Sequence, residues 1–219
     1  MSSPVLPALP ADGPRAVTDA DFPTDGPTEA QLAVMLSWAV QAPSVLNTQP
    51  WRFHVAGERV EVFVDRARQL RTVDPEGREA VISCGAALFT LRLAARHYGF
   101  ATLVEAPGPD DDPDLIAGLR LAGPAQATDE EEALFRAVKR RHTNRDPYAA
   151  FAVPRAVLDA ARGAARDEGT VLHVVSDSAD KQAAAKAKAE ADAVPAPTEA
   201  ELKAARDAKY AARKKRKKG

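Results

Sequence analysis

Ala42-Pro43-Ser44-Val45-Leu46-Asn47-Thr48-Gln49-Pro50-Trp51-Arg52-Phe53 is the stretch on which the reading of this 219-residue chain turns. Pro43 stops a helical pattern, because the residue before a proline is pushed out of helical geometry. A polar turn follows, and then the strand-like Trp51-Arg52-Phe53-His54-Val55. Ser44, Asn47 and Gln49 place one hydroxyl and two amides on the turn, groups that both donate and accept hydrogen bonds. Two readings stay open on spacing alone. The groups can serve the edge of a heterocyclic ring, or they can bond their own backbone as turn side chains commonly do.

Upstream, Leu32, Met35, Leu36, Ala39 and Val40 recur at helical spacing, with Thr28 and Gln31 as an expected capping box. Downstream, Trp51–Val55 and Val60–Val64 alternate around Gly57-Glu58, the pattern of a β-hairpin. Asp74, Pro75 and Glu76 predict the start of a second helix, which is uncharged from Ala80 to Leu91 and therefore central. Gly99 is its expected stop. Strands are expected at Ala101–Glu105 and Leu119–Ala122. A third helix, capped by Thr128 with Glu131, is expected to bury Leu134, Phe135 and Val138 and to end in Lys139-Arg140-Arg141. Pro154 then opens a helix to about Arg166, followed by the strand-like Val171–Val175. That order repeats the first helix and strand as a distant internal repeat.

The second informative run is Arg140-Arg141-His142-Thr143-Asn144-Arg145-Asp146-Pro147-Tyr148. Guanidinium groups flanking a hydroxyl suit a phosphate monoester, because arginine offers planar paired donors. The plainer reading is a basic helix end running into a loop.

Together these segments resemble the FMN-dependent nitroreductase family. Pro43–Trp51 is similar to its Pro-Ser-x-x-Asn-x-Gln-Pro-Trp signature, and Arg141–Arg145 to its Arg-x-Ser/Thr-x-Arg/Lys motif. The resemblance implies an α+β nitroreductase-like fold: a mixed sheet with helices around a long central helix. It implies FMN as cofactor, with Pro43, Ser44, Asn47 and Gln49 at the isoalloxazine ring. Arg141 and Thr143 would hold the phosphate and ribityl side, His142 would line the cofactor, and Arg145 would lie near the N1/O2 edge. NAD(P)H would be the electron donor, and nitroaromatic or quinone-type small molecules the acceptors. No side chain need act as acid or base, so no catalytic residue is assigned. In ordinary nitroreductases the arginine motif precedes the Pro-Ser signature; here it follows. That order resembles the Acg-like subgroup, in which two nitroreductase halves are fused. Ser83-Cys84-Gly85-Ala86-Ala87 resembles the same subgroup, with small residues that would admit a close helix.

The expected organisation is a loose N-terminal arm over residues 1–27 and a nitroreductase-like domain over 28–176. A partial second half begins at about 128, and an Ala/Lys-rich tail spans 177–219. On this reading the second half is truncated, and a homodimer would replace the missing partner. Two other readings remain: a non-catalytic flavin-sequestering protein, or a fragment whose basic tail binds polyanions. The run Arg213–Lys218 carries that last reading through counterion release.

Net charge of −1 demands no polyanionic partner for the chain as a whole. A single cysteine, Cys84, excludes an internal disulfide framework and is expected in the core. The four histidines lack metal-ligand spacing, so no metal site is expected. Residues 1–27 lack the basic-then-apolar pattern of a secretory leader, and no stretch has the roughly 18 apolar residues of a membrane span. The expectation is a cytoplasmic protein without membrane partners.

Overall fold

Seven helical or strand segments anticipated between residues 28 and 138 form in the computed structural model. It describes residues 17–148 and 151–175, with residues 182, 183, 185 and 186 of the tail. The run Arg213–Lys218 and the rest of the tail lie outside the described residues, as do residues 1–16. The chain divides into two units, Met1–Asn144 and Arg145–Gly219.

In the first unit, helix α1 (Thr28–Ala39) precedes strands β1 (Trp51–Ala56) and β2 (Arg59–Val64). Helix α2 (Arg78–His97), strands β3 (Phe100–Glu105) and β4 (Leu115–Pro124), and helix α3 (Asp129–Val138) follow. The architecture is α+β. The four strands order β1-β2-β4-β3. Every pairing is antiparallel, so the sheet is not mixed over the described residues. The reason lies in the connection through α2. It carries the chain from β2 to β3, which run in the same direction, and β4 inserts between them.

Helix α2 is the axis of the core. Leu91, Ala94 and Ala95 are fully buried among Leu32, Met35 and Trp38 of α1, Val60 and Leu119 of the sheet, and Phe135 of α3. A second cluster sits under the start of α2: Ala80, Cys84 and Ala87 against Trp51, Val62 and Val64. One stripe of α2 stays open. Val81 and Ile82 are 39% and 55% exposed, and nothing lies within 4 Å of where a Gly85 side chain would begin.

Three local expectations are corrected, two at helix starts and one in the burial of α3. Thr28 is the first residue of α1 rather than its cap, and Pro27 stands at the cap position. Gln31 turns its amide instead to the Pro23 and Thr24 carbonyls, both at 3.1 Å. Helix α2 begins at Arg78, not near Pro75, because Gly77 takes a left-handed conformation (φ 76°) that breaks the helix there. Asp74 still caps it from outside: its buried carboxylate accepts the Ala80 N–H at 2.9 Å. In α3 only Phe135 is buried; Leu134 is 42% exposed and Val138 half-buried, for a reason given below.

The Thr128–Glu131 capping box forms as expected. Thr128 Oγ1 accepts the Glu131 N–H at 3.2 Å, and Glu131 Oε2 accepts the Thr128 N–H at 2.7 Å. Arg96 donates to the same carboxylate at 2.9 Å. The Arg96 hydrogen bond holds Glu131 below the usual glutamate range, against partial burial and with help from Thr128. A depressed carboxylate contributes stability above its unfolded pKa and loses that contribution as pH falls through the depressed value. Thr128→Ala is therefore expected to cost about 1 kcal/mol near neutral pH in urea denaturation. The difference should shrink in acid; an unchanged urea midpoint would contradict the capping account.

The second unit contains helix α4 (Arg155–Asp167), started after Pro154 as anticipated. The strand expected at Val171–Val175 does not form. A strand is stabilised by a ladder partner, and no strand pairs with this segment among the described residues. Val171 is 72% exposed. The proposed repeat of helix then strand thus extends to the helix alone.

Candidate functional site

The Pro43–Trp51 loop leaves α1 and turns through Val45–Asn47 before entering β1. Leu46, Asn47 and Gln49 all have positive φ, at 47°, 56° and 47°. Three non-glycine residues in left-handed geometry within four positions is a strained arrangement that persists only where surrounding contacts fix it. Those contacts come from several sides. Ser44 Oγ accepts the Gln49 N–H at 3.0 Å, and Gln49 Nε2 donates to the Val40 carbonyl at 3.4 Å. Arg68 donates to the Gln49 carbonyl at 3.2 Å and the Thr48 carbonyl at 3.5 Å. From α2, Ser83 Oγ accepts the Val45 N–H at 3.4 Å, and the Cys84 thiol donates to the Pro50 carbonyl at 3.4 Å.

For Ser44 and Gln49, then, the self-bonding reading of the turn is realised. Asn47 differs: it is exposed, and its side chain makes no hydrogen bond among the described residues. Leu46 beside it is 71% exposed. The loop spends two polar side chains on its own shape and presents the third outward.

Sequence reasoning missed Arg68 and Ser83 as the groups that fix this loop. Neither forms a local pattern with it, since they approach from 19 and 38 residues away. Cys84 was expected in the core and is fully buried. Burial raises its thiol pKa to about 11, opposed by the charge of Arg66. Thiolate is the reactive form, so Cys84 is expected to resist thiol-specific reagents near neutral pH until the chain unfolds. Rapid labelling of the native protein would contradict this placement.

The arginine motif begins where α3 ends. The acidic first turn of α3 (Asp129, Glu130, Glu131, Glu132) and the cations that follow it match the helix dipole. Lys139 is engaged: its ammonium donates to the Val17 carbonyl and lies 4.6 Å from the Trp38 ring centroid. Arg141 is exposed and pairs with no carboxylate among the described residues. Thr143 is exposed, and His142 Nδ1 lies 3.4 Å from the Arg140 carbonyl. Arg145 opens the second unit.

What the fold brings together is one end of each motif. A cleft of about 280 Å³ lies between the end of α1, the middle of α2 and the end of α3. Pro43 and Arg141 both border it, about a hundred residues apart in the chain. Its wall is apolar: Ala86, Phe89, Leu93, Leu134 and Val138 line it, which is why Leu134 and Val138 are not sealed into the core. Gln41, Thr90 and Arg141 also border it, though little of its exposed wall is polar. Ser44, Asn47, Gln49, His142 and Thr143 do not line this cleft. Among the described residues there is no cluster of His, Cys, Asp or Glu able to hold a metal ion, and no helix long and apolar enough to cross a membrane.

Residues 21–70, which include the whole Pro43–Trp51 loop, match the model of the Nitroreductase family. Two Mycobacterium tuberculosis proteins named "Putative NAD(P)H nitroreductase" are similar to the chain. One, Rv3131, is 35% identical over 171 residues, covering 77% of this chain and 47% of that protein. The other, acg, is 34% identical over 111 residues, covering 51% and 34%. A third protein of that organism, named "Uncharacterized protein Rv3127", is 35% identical over 151 residues, 66% of this chain and 43% of its own length. The chain spans about half the length of the first of these relatives.

Proposed function

This chain belongs to the nitroreductase family, and from that premise we propose that it is an FMN-binding NAD(P)H oxidoreductase acting on nitroaromatic or quinone-type acceptors. The observation that carries the reading is the meeting of Pro43 and Arg141 at one apolar cleft. A cofactor with a flat heteroaromatic ring and a phosphate needs apolar contact for its faces, donors and acceptors for its edge, and a cation for its charge.

Residues at the cleft and on the Pro43–Trp51 loop are the candidates for those needs. Phe89, Leu93 and Leu134 offer apolar surface. Asn47 offers an amide without a partner among the described residues, and Arg141 a guanidinium without one. Ser44 and Gln49 act on this reading by shaping the loop that carries Pro43 and Asn47. By the resemblance, Thr143 would join Arg141 at the phosphate and ribityl side, His142 would line the cofactor, and Arg145 would lie nearer the N1/O2 edge of the ring. When bound, FMN would supply the redox chemistry itself; the protein supplies position and charge.

The chain's own part in turnover is then electrostatic. Cations of the Arg141–Arg145 segment favour the more negative, reduced state of whatever ring they face. The apolar wall keeps water from the ring faces. The exposed stripe of α2, with Val81, Ile82 and the open Gly85, is the surface we assign to a second copy of the chain.

The test uses the full chain loaded with FMN and freed of excess. Under anaerobic conditions, NADPH or NADH should bleach the visible flavin absorbance, and a nitroaromatic or quinone should restore it. A loaded protein whose flavin neither nucleotide reduces would overturn the enzymatic reading and leave flavin binding alone.

A further inference from the structure

We propose that Arg68 is a positioning residue: it clips the Pro43–Trp51 loop and sets the Leu46–Asn47 tip in place for a flavin ring. The inference rests on the flavin reading above, but the clip itself is visible without a ligand. Arg68 Nη1 reaches two successive main-chain carbonyls of the loop, Gln49 at 3.2 Å and Thr48 at 3.5 Å. An ion pair with Asp65 alone would not require that placement.

The guanidinium is itself held. Arg68 Nε lies 3.4 Å from Asp65 Oδ2, and the other oxygen of that carboxylate accepts the Ala67 N–H at 3.0 Å. Asp65 directly follows β2 and donates its own N–H to the Pro50 carbonyl at 2.7 Å. The clip is thus anchored at the end of a sheet strand.

What it holds is a loop with little beneath it. A hollow of about 10 Å³, which Arg68 also borders, separates Val45 and Thr48 from Gln69, Leu70, Asp74 and Ala80. Packing there does not fix the left-handed backbone of Leu46, Asn47 and Gln49, so hydrogen bonds must. Gln49 is bonded through its N–H to Ser44 Oγ, through its side-chain amide to the Val40 carbonyl, and through its own carbonyl to Arg68. On the other side of the tip the Val45 N–H donates to Ser83 Oγ. Leu46 and Asn47 stand exposed between these fixed points. Without Arg68, two loop carbonyls return to water and the strained backbone loses a restraint. The tip is then free to relax toward negative φ, and Asn47 loses its set position.

Two measurements on the full chain test this, and Arg68 is half exposed, so its truncation leaves the core intact. In the flavin-free protein, Arg68→Ala should speed exchange of the Gln49 amide about three- to tenfold. The Tyr98 amide, bonded to the Ala94 carbonyl at 3.0 Å, should not change. With flavin, Arg68→Ala should weaken FMN and riboflavin by the same factor, about three- to tenfold, because the ring is common to both. A double-mutant cycle separates positioning from general damage. In an Asn47→Ala background, Arg68→Ala should add little further loss, since the group it positions is already gone. Losses that simply add would overturn the positioning role. A natural chain that retains neither flavin would overturn the flavin reading and the positioning role with it. Unchanged Gln49 exchange in Arg68→Ala would overturn the clip itself, with or without flavin.

Discussion

Leu91→Ala is expected to destabilise the first unit by about 2–5 kcal/mol, the range for emptying a well-packed aliphatic site. Leu91 is fully buried in the middle of α2, in the cluster where α1, the sheet and α3 converge. Truncation leaves a void among neighbours that belong to three different layers, and these cannot all close over it. Alanine's better helix propensity offsets only a few tenths of a kcal/mol. In urea denaturation the midpoint should drop with little change in slope. Ile82→Ala, on the same helix but 55% exposed, should cost under about 0.5 kcal/mol in the monomer. Equal losses at the two positions would contradict the assignment of the inner and outer faces of α2.

The second large effect concerns binding. Arg141→Ala is expected to weaken FMN binding about 10- to 100-fold, as loss of charge-assisted hydrogen bonds to a phosphate costs about 1.5–3 kcal/mol. Arg141 is exposed at the cleft and pairs with no carboxylate among the described residues, so removing it strands no internal partner. Riboflavin, which has the same ring and no phosphate, should bind the variant and the natural chain alike. A matching loss for both flavins would move Arg141 from the phosphate to the ring or to the structure of the cleft. Arg141→Lys should recover part of the affinity, since lysine keeps the charge but not the paired donors.

How far the sequence reached depended on the range of the interaction involved. The hairpin, the uncharged central helix and the Thr128–Glu131 box were legible because each is specified within a few residues. The start of α2 was misplaced because Asp74 caps it across Gly77 rather than from the cap position. Val171–Val175 has strand composition, yet strand formation depends on a partner that the segment itself cannot reveal. The burial of α3 was overstated for a related reason: helical spacing shows an apolar face, but not that Leu134 and Val138 line a cleft rather than a core.

The same limit divides the candidate site. Pro43, Ser44, Asn47 and Gln49 could be picked out from the signature, but not which of them bond the loop itself and which face outward. That partition follows from φ values and from hydrogen bonds with Arg68, Ser83 and Val40. The approach of Arg141 to Pro43 could be reached only through resemblance, because it depends on how α1 and α3 both pack on α2.

The most direct test of the central claim is FMN retention by the purified chain. The protein is incubated with FMN, freed of excess by gel filtration, and its visible absorbance compared with its protein content. The account predicts a yellow protein holding FMN in a fixed ratio to chain, with retention lost in Arg141→Ala. A colourless protein that folds and still takes up no FMN would contradict it.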